Sequence, residues 1–180
     1  MLPVGPLMIE HRLIEKMIKL ADEKLKGMVN GNMPDVHFIE IFIDFVKTYA
    51  DRCHHGKEED ILFRDLSKRK LSEEHERIMK ELIEEHKYGR IKTMRIVELK
   101  DKYASKEQSA VKETIEIMKE LVLFYPKHIE KEDKHFFIPC MGYFNKSEQD
   151  NMLNEEWEFD RKLIHEKYTQ IVDAISKTKD

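Results

Sequence analysis

The chain is short of the residues that bend or cross-link a backbone. It has 6 glycines, 5 prolines and 2 cysteines in 180 residues. With so little Gly and Pro, and with Lys, Glu, Ile, Leu and Met dominant, the composition disfavours a β-rich fold and favours amphipathic helices. Cys53 and Cys140 have neither CxxC spacing nor a secretory context. They read as reduced thiols of a cytoplasmic protein, and no disulfide is expected. No apolar run approaches the ~18 residues that span a bilayer, and no signal peptide precedes the first helix, so no membrane partner is expected. An excess of one charge is also lacking. The 32 basic and 36 acidic residues leave −4, spread along the chain, which gives no support for a nucleic-acid partner.

What remains is a chain with 38% charged and 41% hydrophobic residues, a length suited to a single domain over 1–180. Five helical segments stand out. The first runs from about Leu7 to Val29 on a stripe of Ile9, Leu13, Ile14, Met17, Ile18, Leu20 and Ala21, and Gly31-Asn32-Met33-Pro34 breaks it. The second starts near Asp35, a suitable N-terminal acid, and runs through Phe38, Ile41, Phe42, Phe45, Val46, Tyr49 and Ala50 to Leu66. The third opens at Ser72-Glu73-Glu74 and continues to Leu99. The fourth occupies about Lys106 to Phe137, and Pro139 ends it. The fifth starts at Ser147-Glu148 and extends over about 147–177. Short connections predict an all-α, up-down-up-down four-helix bundle over about 7–140 with an additional C-terminal helix.

Two segments carry the chemistry: His54-His55-Gly56-Lys57-Glu58-Glu59 and His128-Ile129-Glu130-Lys131-Glu132-Asp133. Each puts a histidine four residues before a glutamate, so both groups lie on one helical face, one turn apart. His11 and His86 fall on the apolar stripes of the other two helices. Taken singly, His11 reads as an ordinary hydrogen-bonded histidine, and His54 with Glu58 as a surface pair. Jointly, four helices send His11, His54, Glu58, His86, His128 and Glu132 toward one interior. Two buried carboxylates among imidazoles make a poor core without a cation. Iron, zinc and manganese all accept neutral imidazole nitrogen and ionised carboxylate oxygen. His37, His75, His135 and His165 sit among charges and read as solvated. Gly56, costly in mid-helix by roughly 1 kcal/mol, lets another helix or a ligand come close. Pro126 removes a backbone donor two residues before His128 and predicts a kink there.

These motifs resemble those of the hemerythrin-like, HHE cation-binding domain family. The resemblance lies in His11, His54-His55-x-Lys57-Glu58-Glu59-x-Ile61-Leu62-Phe63, Glu85-His86-x-x-Gly89-Arg90 and His128-Ile129-x-Lys131-Glu132-Asp133, in that order. It implies a non-haem centre of two iron ions with an oxo or hydroxo bridge, zinc or manganese being substitutes. Position by position, it implies His11, His54, His86 and His128 as imidazole ligands and Glu58 and Glu132 as bridging carboxylates. Oxygen carriers of the family have a second third-helix histidine four residues on; Arg90 stands there, and Arg does not bind metals. That leaves the set one imidazole short. His55, water, a small anion, Tyr88 or Tyr125 are the candidates to fill the place. Arg90 is expected near the site, against a bound anion or a bridging Glu, and Glu59 and Asp133 are not expected as ligands. The resemblance implies binding of dioxygen, nitric oxide or peroxide, for sensing, scavenging or iron and oxygen handling. Its alternatives are a di-iron peroxidase, a nitric oxide reductase, an iron-centre repair factor, or an iron-responsive interaction module. Either a monomer or a homodimer is compatible with it.

Overall fold

The computed structural model describes the backbone of residues 1–31 and 35–177 and the side chains of 1–29 and 35–163. Helix α1 spans Val4–Gly31, three residues earlier at its start than the periodicity predicts. Of the predicted stripe, Ile14, Ile18 and Ala21 are buried, while Ile9, Leu13 and Leu20 face solvent. Leu7, Leu25 and Met28 complete the buried row instead. The break predicted over 31–34 falls largely outside the described residues, though Gly31 is still helical.

Helix α2 is a continuous rod over 36–66. Asp35 caps it, its carboxylate accepting from the Phe38 N–H at 3.1 Å. The rod begins as an α-helix (Val36–Phe45) and then widens into π-helical turns over Val46–His55 and Glu58–Phe63. At the junction the Gly56 N–H reaches back to the Asp51 carbonyl, five residues away. Helix α3 spans Glu73–Glu98, capped by the Ser72 hydroxyl, which accepts from the His75 N–H at 3.2 Å. A short helix that the sequence did not predict, α4 (Lys100–Ala104), leads through Lys106, at φ 64°, into the next rod.

Helix α5 runs over 108–140. It is α-helical through Gln108–Lys131, π-helical at Glu132–Phe136 and α-helical again at Phe137–Cys140. It continues unbroken through Pro126. Pro139 does not end it: the rod runs one residue past the proline to Cys140, and a 3-10 turn at Met141–Tyr143 follows. Helix α6 spans Lys146–Lys177. Its cap is Asn145 rather than Ser147. The Asn145 Oδ1 accepts from the Glu148 N–H at 3.0 Å, and Glu148 Oε2 accepts from the Asn145 N–H at 2.9 Å, a reciprocal capping box.

The α1, α2, α3 and α5 rods form a four-helix bundle, with α1 against α5 and α3 against both α2 and α5. Helix α6 is the additional C-terminal element and lies across the π-helical part of α2. Among the described residues there is no strand, and no helix is long and apolar enough to cross a membrane. The apolar interior is in two parts. One gathers Ile14 to Met28, Ile39 to Ala50 and Ile96 to Ile129. The other gathers Val4, Leu7, Ile61 to Leu66, Ile78, Leu82 and Phe136 to Phe144. On every rod the inward imidazoles and carboxylates lie where the two parts meet.

Candidate metal centre

His11, His54, His55, Glu58, His86, His128 and Glu132 are each at most 2% exposed. They form one polar layer between the two apolar halves. The π-helical turns explain why α2 contributes so many of them. In an α-helix consecutive side chains point about 100° apart. Hydrogen bonding to the fifth residue widens the turn and reduces that rotation, so His54 and His55 both face inward along with Glu58. Such turns often mark functional sites, and no sequence periodicity announces them.

The layer divides into two groups with metal-ligating atoms close enough to share an ion: His11, His54, Glu58 and Glu132 on one side, and His55, His86 and His128 on the other. The two glutamates stand between the groups. Glu58 points Oε1 at His54 Nε2 (3.3 Å) and Oε2 at His86 Nε2 (3.3 Å). Glu132 points Oε2 at His11 Nε2 (3.2 Å) and Oε1 at His128 Nε2 (3.3 Å) and His86 Nε2 (3.7 Å). Each carboxylate thus offers one oxygen to each group. His54 Nε2 and His11 Nε2 lie 2.8 Å apart, and the His55 and His86 rings stack at 3.9 Å.

All four carboxylate oxygens are buried without a hydrogen-bond partner, as are His86 Nε2 and His128 Nε2; His55 Nδ1 lies 3.5 Å from Asp51 Oδ1 instead. A native core satisfies such atoms. Two ions, each between imidazole nitrogens and a pair of carboxylate oxygens, satisfy them together. The donor set therefore fits two metal ions.

A second ring holds the first in place. His11 Nδ1 meets Asp133 (2.7 Å), His54 Nδ1 meets Glu10 (2.9 Å), His86 Nδ1 meets Glu59 (2.6 Å) and His128 Nδ1 meets Glu85 (2.8 Å). With Nδ1–H donated outward, Nε2 is left with its lone pair inward, the tautomer a metal needs. The pattern is cyclic: α1 supports a histidine of α2, α2 one of α3, α3 one of α5, and α5 one of α1. Each supporting acid is the sequence neighbour of an inward residue on its own helix. Each acid also meets a base on the helix it supports: Asp133 meets Arg12, Glu10 meets Lys57, Glu59 meets Arg90 and Glu85 meets Lys131. The outer ring carries its own counter-charges, so the two inner carboxylates must find theirs at the centre.

Without metal, protons supply that charge. Burial drives the His11 pKa down, but the hydrogen bond to Asp133 and the facing Glu132 carboxylate outweigh it and raise the group to about 10. Burial likewise opposes protonation of His86, yet Glu132, Glu58 and Glu59 raise it to about 11. Burial pushes Glu58 up, but His54 and His86 hold it well below the usual carboxylate range. Glu132 is lowered too: burial and Glu58 raise it, and His128, His11 and His86 prevail. His55 is different. Burial, with His86, His128 and His54 nearby, holds it well below an ordinary histidine, so it stays neutral.

Several sequence expectations need correction. Arg90 is half-buried and bonds Asp51 and Glu59, not a bridging Glu. Tyr88 is not in the layer; its hydroxyl donates to Glu120. His75 is half-buried rather than solvated, with its ring bonded to Tyr143 at 2.8 Å. His37 and His135 are exposed, and the His165 side chain lies outside the described residues. Cys53 and Cys140 are free. The supporting acids went unread in the sequence because their signal, an acid adjacent to an inward residue, is common on any charged helix.

A cavity of about 560 Å³ reaches the layer at His55, between α2 and α3. Gly89, Arg90, Thr93 and Met94 form one wall and Tyr125 another. Phe159 of α6 covers Gly56, its ring 2.7 Å from where a Cβ would stand. No curated protein and no solved structure matches the chain. Residues 3–138, which contain the whole polar layer, match the model of the Hemerythrin HHE cation binding domain. The chain belongs to that family.

Proposed function

We propose that this is a non-haem di-iron protein that binds dioxygen or a related small molecule such as nitric oxide or peroxide. In this reading His11 and His54 hold one iron and His55, His86 and His128 the other. Glu58 and Glu132 would each offer one oxygen to each ion. His55 takes the place that the third-helix Arg90 leaves open, so the ligand set is five imidazoles and two carboxylates. The single observation that carries the reading is the set of four carboxylate oxygens, buried and without hydrogen bonds, aimed in pairs at imidazole nitrogens. Iron supplies reversible redox chemistry and open coordination positions. The protein's own residues fix the imidazole tautomers through the outer acids, keep bulk water out with the two apolar halves, and leave the His55 cavity as the approach for a ligand.

With His55 as a ligand the set is no longer one imidazole short, so both reversible binding and sensing or scavenging are compatible with it. The choice among these roles now rests on redox behaviour. A di-iron oxidoreductase is the second reading, favoured by a cavity far larger than a diatomic molecule requires. Metal analysis of Glu58→Ala and Glu132→Ala tests the site: both variants lose the pair of ions, and His37→Ala keeps it. Two ions retained in either glutamate variant overturn the assignment. Peroxide or nitric oxide turnover by the loaded protein well above that of free iron selects the second reading.

A further inference from the structure

Four arms of the outer ring look alike on paper, and one differs in the structure. The bases that close three arms reach solvent: Arg12 is 52% exposed, Arg90 36% and Lys131 26%. Lys57, which closes the His54 arm, is 0% exposed. Its ammonium lies between Glu10 and Asp160, with Asp160 Oδ1 at 2.8 Å and Oδ2 at 3.0 Å. Asp160 belongs to α6, beyond the part of the chain that matches the family model. The Cys53 thiol also donates to Asp160, at 3.2 Å. Glu156, one turn earlier on α6, is buried with both carboxylate oxygens unpartnered. The chain of contacts is therefore His54 Nδ1, Glu10, Lys57, Asp160, and it runs from the polar layer to the added helix.

Glu10, Cys53 and Asp160 themselves have the spacing of a small cation site. Lys57 already fills that place with a positive charge, and the thiol is a protonated donor, so the group is not assigned to a third ion.

We propose that Asp160 and Lys57 are positioning residues through which α6 makes the two metal positions unequal, holding the ion at His11 and His54 more firmly. The inference rests on the two-metal reading above. The physical reason is charge competition. A lysine facing Glu10 alone draws on the carboxylate and weakens its hold on the His54 Nδ1–H. Asp160 shares that lysine, so Glu10 keeps its full strength as acceptor and His54 its strength as donor to the metal. The bases of the other three arms are shared in the same way, Arg12 with Glu15, Arg90 with Asp51 and Lys131 with Glu81, but all three reach solvent. Burial of Lys57 alone removes the water that screens such contacts, and that is what sets the His54 arm apart.

The test uses the full chain loaded with cobalt(II), whose visible bands report coordination, and follows release of each ion into excess EDTA. Wild-type protein with two bound ions should release them in two phases. Asp160→Asn should speed one phase by about 10- to 100-fold, the usual range for a partner of a ligating histidine, and leave the other within about threefold. Asp160→Glu should restore the slow phase, and only one set of cobalt bands should change. Lys80→Gln, an exposed lysine of α3 that pairs with Glu76 outside the ring, should change neither phase by more than about threefold. Equal acceleration of both phases, no acceleration, or an Asp160→Glu variant no better than Asn overturns the inference. Wild-type protein that binds fewer than two ions overturns the two-metal reading, and the inference with it. Asp160 is 37% exposed, so its substitution is compatible with folding; circular dichroism confirms that separately.

Discussion

Metal loading must expel protons from the centre, and the number is countable. In the metal-free protein His11, raised to about 10, and His86, raised to about 11, both carry a proton at pH 7.5. They balance the charges of Glu58 and Glu132, which are held ionised. Each Nε2 must lose its proton before it can bind an ion. Loading two ions at pH 7.5 should therefore release at least about two protons. Burial opposes protonation of His54, but Glu58 and Glu10 raise its pKa, so it adds to the count. By linkage, the combined affinity for the pair should rise at least about a hundredfold per pH unit while the pH stays below these pKa values. The stability of the metal-free protein moves the other way. A histidine whose pKa is raised by folding contributes fully below its unfolded value near 6.5 and loses that contribution as pH rises toward 10. Metal-free protein should thus weaken between pH 6.5 and 10, and loaded protein should not share that loss. Calorimetry with zinc(II), which has no redox chemistry, in buffers of different ionisation enthalpy gives the proton count directly. Release of fewer than about half a proton per pair, or an affinity flat with pH, refutes the charge balance argued for the layer.

Three further outcomes follow from the same geometry. His55→Leu should lose one ion and keep the fold, because His55 stands among the second group only; unchanged metal content in this variant removes it from the ligand set. Gly56→Ala should be unfavourable in the wild-type background, where the new methyl meets the Phe159 ring. In a Phe159→Ala background the same change should become stabilising, by up to about 1 kcal/mol from helix propensity, and urea titrations of the four proteins decide it. Glu156, pushed up to about 8 by burial, contributes stability below its unfolded value near 4.5 that is lost as pH rises to about 8. Glu156→Gln should therefore gain on wild type across that window in thermal melts, and a constant difference between the two proteins contradicts it.

The fold was largely readable because its signals were local and periodic. Asp35 and Ser72 cap helices where their side chains predict, and the inward residues at Ile14, Ile18 and Ala21 follow helical spacing. The exposed Ile9, Leu13 and Leu20 show the limit of that reading: a stripe can be drawn through apolar residues that tertiary packing leaves at the surface. The six residues proposed as ligands from spacing and resemblance all meet in one layer. His55 was only a candidate, because a regular α-helix does not turn two consecutive histidines inward. The π-helical stretch over Val46–His55 does, and no periodicity along the chain marks it. The outer ring was invisible for a related reason. Glu10, Glu59, Glu85 and Asp133 each serve a histidine on another helix, so no interval along the chain encodes the pairing. The place of α6 over Lys57 and Gly56 is likewise a long-range contact.

The most direct test of the account is anomalous diffraction at the iron edge from crystals of the iron-loaded protein. Two peaks should lie between Glu58 and Glu132, one beside His11 and His54 and the other beside His55, His86 and His128. A single peak, or iron bound anywhere else on the chain, contradicts it.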